Sequence, residues 1–406
     1  MDSLINSAGR ALSVGDPLAA LKRIALRDDA PALALRGVAM AQLGDLPRAR
    51  ELLRRAARAF GKNEQISRAR CIVAEAEIAF VSRDLNQSLR LLGPAQATLK
   101  RLGDRVNAAH AGYLDARQHL LIGRLDEAER MIRELDADAL PPASRVGFEL
   151  VAAGVAIRRV RASDARASLE RAAHYASETA IPALGVEVDR AMRAFSAPAG
   201  RLISNHEERE IGLAEVEALL ATDALIVDAC RNVISRRETP VSLATRPVLL
   251  ALVRALAEAW PEDASRETLL ERAFRARQSD DSHRARLRVE IARLRKEIEL
   301  LADVVATKDG FMLIPHGADK VAVLAPPADS DHAEVLALLA DGEAWSSSAL
   351  ALALGVSSRT VLRALDKLAE TGRVESFGRG RACRWMAPQV PGFPTSLLLP
   401  ASTIAG

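Results

Sequence analysis

Across residues 16–198 apolar positions recur at helical spacing, Ala, Leu, Arg and Glu dominate, and almost no period-two alternation occurs, so helix is predicted throughout. The pattern also repeats. Gly37, Ala49, Leu53 and Ala56 have the same spacing as Ala76, Ser88, Leu92 and Ala95. Ala116, Ala128, Ile132 and Leu135 form a third copy, and Ala153, Ala165, Leu169 and Ala172 a fourth. The second-helix anchor moves from 49 to 88, 128 and 165, a period close to that of stacked helical hairpins. Gly44-Asp45 and Gly123-Arg124 sit where the two helices of a hairpin meet, and Arg83-Asp84 takes that place in the second copy. Small residues let paired helices approach closely, and each hairpin buries its remaining apolar face on the next.

After Ala197-Pro198-Ala199-Gly200 the pattern changes. Leu225–Asp228, Val233–Ser235 and Val241–Leu243 read as short strands of a small antiparallel sheet, with a turn at Arg231-Asn232. Thr245 is placed to cap a helix that has Pro247 in its first turn, and Ser265-Arg266-Glu267-Thr268-Leu269 starts another. In a third helix, Ser282 to Leu301, Leu287, Ile291, Leu294 and Ile298 form one narrow apolar stripe. Opposite it lie Ala285, Val289, Ala292 and Lys296, flanked by Arg286 and Arg293 on one side and Arg288 and Arg295 on the other, with Arg284 near the start. Six basic residues face one acid between Ser282 and Lys296. Small side chains between guanidinium flanks suit a DNA major groove, where the helix lies close and reaches base edges or phosphates. Asp280-Asp281 stands ready to cap this helix.

Leu243-x-Thr245, Ser265-Arg266-Glu267-x-Leu269, Ala273-Phe274, the run Ile291–Lys296 and the run Thr307–Leu313 follow one another in the order and spacing of a winged helix that resembles the OmpR/PhoB type. That resemblance implies that Arg293 contacts a base, that Arg295, Lys296 and Thr307 lie nearer phosphate, and that Lys308 sits on the wing. The wing is short, Phe311 stands where that family usually has Tyr, and Glu290 and Ala292 take positions often polar or basic. The upstream hairpins resemble tetratricopeptide repeats. Together the two resemble antibiotic-pathway regulators of the SARP type with the order reversed, and no alternating βα receiver unit precedes them.

Ala325-Pro326-Pro327-Ala328-Asp329 reads as a linker, followed by a short helix over Asp331 to Leu339. Leu350, Ala351, Leu354, Gly355, Val356, Val361 and Ala364 then fit a helix-turn-helix template. Its second helix, Arg359 to Thr371, is predicted to bury Val361, Leu362, Leu365 and Leu368. Ser357, Ser358, Arg359, Thr360, Arg363 and Lys367 then belong to the groove side. Residues 373–385 read as two strands around a glycine turn, with Arg379 and Arg381 at the tip. This segment resembles the winged helix-turn-helix of IclR-, DeoR- and MarR-like regulators, a module also used for dimerisation.

The sequence therefore predicts a mainly α protein: a tetratricopeptide-like solenoid over 1–200, winged-helix modules with small antiparallel sheets over 201–325 and 326–388, and an uncharged tail over 389–406. Composition changes little. Lys and Arg number 56 against 53 Asp and Glu, so any basic surface is local. At 3% aromatics the chain lacks the stacking platforms of single-strand binders. Cys71, Cys230 and Cys383 lie far apart, and no HExxH, Walker-type or dinucleotide loop occurs. No cofactor, metal site or catalytic set is expected, nor a membrane segment, and a cytoplasmic place fits. Cys383 fits a packed strand cysteine better than a redox sensor. The expected partner is double-stranded DNA, bound by a dimer, with a peptide or protein partner at the repeats. A protein-interaction scaffold, and an enzyme with an unrecognised site, are the alternative classes.

Overall fold

The computed structural model describes residues 2–81, 85–179, 181–237, 239–274, 281–326, 332–339, 345–378, 380 and 383–386. The chain is mainly helical, with small sheets toward its C-terminal end. It forms two compact units: residues 1–159 and 163–194 with the described part of 331–406, and residues 160–162 with 195–330.

The first unit begins with antiparallel helix pairs: α1 (Ser3–Ser13) and α2 (Pro17–Ile24), α3 (Ala30–Gln42) and α4 (Leu46–Ala59), α5 (Gln65–Val81) and α6 (Leu85–Arg101), α7 (Arg105–Leu121) and α8 (Leu125–Glu134), α9 (Pro142–Arg158) and α10 (Ala162–Ser177), then α11 (Pro182–Ser196). The four sequence repeats correspond to α3–α4 through α9–α10. The turns follow the sequence chemistry: Gly44 and Gly123 take φ of +85° and +77°, and the Asp45 carboxylate accepts from the Arg48 backbone N–H at 3.1 Å. Arg83-Asp84 lies outside the described residues. Gly37 is where α3 meets α4, and a Cβ there would stand 2.8 Å from Leu53 and 3.2 Å from the Ala49 carbonyl.

Successive inner helices are also joined by buried polar groups. His110 on α7 is hydrogen-bonded through Nε2 to Glu77 on α5 at 3.0 Å and through Nδ1 to the Ser144 hydroxyl on α9 at 3.3 Å. Glu77, His110 and Ser144 are 0%, 1% and 5% exposed, so this Ser–His–Glu line is shielded from solvent. It works as a staple between three hairpins. Further out, Arg171 grips Glu149 with two hydrogen bonds of 2.9 and 2.8 Å.

The second unit holds the larger sheet. Its strands are β1 (Gly200–Ser204), β2 (Glu207–Ile211), β3 (Leu225–Asp228), β4 (Val233–Arg236), β5 (Thr239–Ser242) and β9 (Val321–Ala325), in the order β2-β1-β9-β3-β4-β5. The β3–β4–β5 meander matches the sequence reading, with Asn232 at φ +57° in its first turn. The sheet is nevertheless larger than expected: α12 (Leu213–Leu220) follows the β1–β2 hairpin, and β9 inserts between β1 and β3, parallel to β3. Between β5 and β9 come α13 (Pro247–Ala259), β6 (Ala264–Ser265), α14 (Arg266–Phe274), α15 (Asp281–Glu297), β7 (Ala302–Ala306) and β8 (Gly310–Pro315), with strand order β6-β8-β7. The expected Thr245 cap is corrected: the helix begins at Pro247, so Arg246 and not Thr245 is the N-cap of α13, and no side chain caps it because an arginine carries no acceptor oxygen.

The first unit is completed by α16 (Ala333–Leu339), α17 (Ser347–Leu354), α18 (Ser358–Glu370), β10 (Glu375–Phe377) and β11 (Arg384–Met386). Ser346 caps α17, Gly355 ends it at φ +66°, and Ser357 caps α18. This module has no separate core. Trp345, Leu350, Leu365 and Trp385 belong to the same apolar cluster as Phe80, Tyr113 and Val151 of the repeats. Among the described residues, no single helix is long and apolar enough to cross a membrane.

Candidate nucleic-acid interface

In α15 the stripe Leu287, Ile291, Leu294 and Ile298 is buried against α13 and α14, as its spacing requires. The helix ends at Glu297, short of the expected Leu301, and a turn carries Ile298 and Leu301 into the same core. Arg284, Arg286, Arg288, Arg293, Arg295 and Lys296 are all exposed, with Val289 half exposed among them.

Their surroundings differ. Arg293 pairs with Glu290 at 2.7 Å. Arg286 lies over the Phe274 ring of α14 at 4.5 Å, an interaction of guanidinium with an aromatic face. Arg295 turns inward and donates from Nε to the Val304 carbonyl of β7 at 2.6 Å, so it braces the hairpin. Arg288 and Lys296 form no hydrogen bond or ion pair with their side chains among the described residues. The Asp280-Asp281 cap lies outside the described side chains.

The β7–β8 hairpin turns through Thr307, Lys308 and Asp309. The Thr307 hydroxyl bonds to Asp263 and accepts from the Gly310 N–H at 2.9 Å, so it shapes the turn. Lys308 is exposed at the tip. Arg266, absent from the expected contacts, donates to the Lys308 carbonyl at 2.7 Å and the Thr307 carbonyl at 3.0 Å, holding the turn against the start of α14. Its sequence signal was the Ser265-Arg266-Glu267 run at the helix start.

Compared with known proteins, the chain matches no family model, no curated protein and no solved structure.

On the second module, Ser357, Ser358, Arg359, Thr360, Arg363 and Lys367 are exposed on one end and side of α18. The Ser357 hydroxyl accepts from the Thr360 N–H at 3.1 Å and lies 2.8 Å from the Thr360 hydroxyl, so both belong to the cap. Arg359, Arg363 and Lys367 form no side-chain ion pair among the described residues. Leu362 is corrected: it is 40% exposed, and Ala364 is buried in its stead, because 361, 364, 365 and 368 share a helical face and 362 lies about 100° from it. Arg379 and Arg381 lie outside the described residues. The two candidate helices belong to different compact units.

Burial and the Glu75 carboxylate push the Cys71 thiol up to about 12, which leaves it a poor nucleophile. Among the described residues no cluster of three His, Cys, Asp or Glu side chains is placed to hold a metal ion.

Proposed function

We propose that the chain is a sequence-specific double-stranded DNA-binding transcription regulator in the cytoplasm. The observation that carries this reading is α15: a helix anchored by one buried stripe that exposes Arg284, Arg286, Arg288, Arg293 and Lys296 around Ala285, Val289 and Ala292, with Arg295 bracing the neighbouring hairpin. A surface helix that serves only solubility mixes both signs. The hairpin beside it, held by Arg266, supplies Lys308 to the backbone. In α18 an exposed N-terminal cap with Arg359, Arg363 and Lys367 supports a second reader. The repeats mediate dimerisation or bind a peptide or protein partner.

One observation favours a scaffold reading for part of the molecule. The second module shares its apolar cluster with the repeats, as a structural element does. Selection of bound duplexes from a random pool with the full-length protein, followed by salt titration of the winner, decides between them. A recovered motif whose affinity falls steeply with salt supports the regulator. No enrichment at low salt with folded protein leaves the scaffold.

A further inference from the structure

Between the first half of α15 and the β7–β8 hairpin lies a cleft of about 320 Å³. Arg266, Arg284, Arg288 and Arg295 surround it over an apolar floor that includes Leu287 and Ile291, and no carboxylate stands among its described lining residues. Arg266 and Arg295 spend hydrogen bonds on main-chain carbonyls, which leave their charge uncompensated. Arg288 has no side-chain partner among the described residues. Guanidinium groups stay protonated at any physiological pH, so these three repel one another across a partly enclosed space until an anion joins them. Their planar forks match phosphate oxygens, and each retains N–H donors for that purpose. The volume stands at the lower end of the range for small-ligand sites, about 300–1,000 Å³. It exceeds what a single phosphate fills.

We propose that this cleft binds a small ligand carrying two linked phosphate groups, such as a diphosphate ester. The proposal does not need the chain to bind DNA. If α15 does enter a major groove, an occupant here takes up cations on one flank of the helix, and ligand and duplex compete.

Inorganic pyrophosphate is the probe, titrated calorimetrically into the full-length protein at low salt without DNA, with sulfate as control. One site is expected, with pyrophosphate bound at least about tenfold more tightly than sulfate. Arg288→Gln, at an exposed position that leaves the core untouched, weakens it about tenfold. Lys296→Gln, on the same helix but outside the cleft, changes it by less than about twofold. Circular dichroism checks that both variants are folded. Absence of pyrophosphate binding overturns the proposal, as does equal loss in the two variants, which would mean diffuse attraction. If pyrophosphate fails while Arg288→Gln still weakens duplex binding more than Lys296→Gln, the cleft seats a duplex phosphodiester and the small-ligand assignment falls.

Discussion

Arg293 stands on the outer surface of α15 with its guanidinium 2.7 Å from Glu290, one turn back, so the side chain is oriented along the helix before anything binds. On the proposed DNA-binding reading, Arg293→Ala should cost about 1–3 kcal/mol on the preferred duplex and relax specificity at one position, whereas Lys308→Ala should weaken all sequences alike. Equal losses for Arg293→Ala on selected and random duplexes would remove its base-reading role. The apolar stripe of α15 was legible because burial follows local periodicity. The inward turn of Arg295 and the bonding of Thr307 to Asp263 were not, since those partners lie 9 and 44 positions away. Cys71 makes a pH statement at the same scale. Its folded thiol titrates near 12, above the ordinary value, so the stability it contributes is fully present below the unfolded thiol range and is lost as pH rises toward 12. At pH 8 iodoacetamide should leave Cys71 unmodified until the protein unfolds; rapid labelling of the native chain would contradict the burial.

Among the elements, the α3–α4 hairpin shows how closely the repeat spacing tracks packing. The position read as a small helix-crossing residue, Gly37, has room for nothing larger beside Leu53 and Ala49. Gly37→Ala should lower stability by about 1–3 kcal/mol in denaturant unfolding, and an unchanged midpoint would show that Leu53 yields freely. The first hairpin, α1–α2, escaped the repeat alignment although its turn carries the same signal: Gly15-Asp16, with Gly15 at φ +78° and Asp16 accepting from the Ala19 N–H at 2.9 Å, parallels Gly44-Asp45. Strand β9 was missed for a different reason. Its five residues are all buried and read as an apolar run, but its neighbours β1 and β3 lie about a hundred residues earlier, and no local pattern states which strands a sixth will join.

At the scale of the whole molecule, residues far apart in sequence share one core within the first unit. Trp345 is 1% exposed in the cluster that also holds Phe80 and Tyr113. Trp345→Ala should therefore cost about 3–5 kcal/mol and speed amide hydrogen exchange in α5 and α7 together with α17 and α18. Loss of protection confined to α16–α18 would instead show a module that folds on its own. The module was legible in sequence as a helix-turn-helix, but its lack of a separate core was not, because apolar anchors look alike whether they face one another or another domain. The line from Glu77 through His110 to Ser144 carries a last consequence. Solenoids built only of apolar faces tolerate insertion and deletion of units, since every junction resembles the next. Here each of three consecutive hairpins supplies a different chemical group, and excising the middle one would set a carboxylate against a hydroxyl with no imidazole between them. Those three hairpins are thus non-interchangeable parts, and losing any one of them breaks the line.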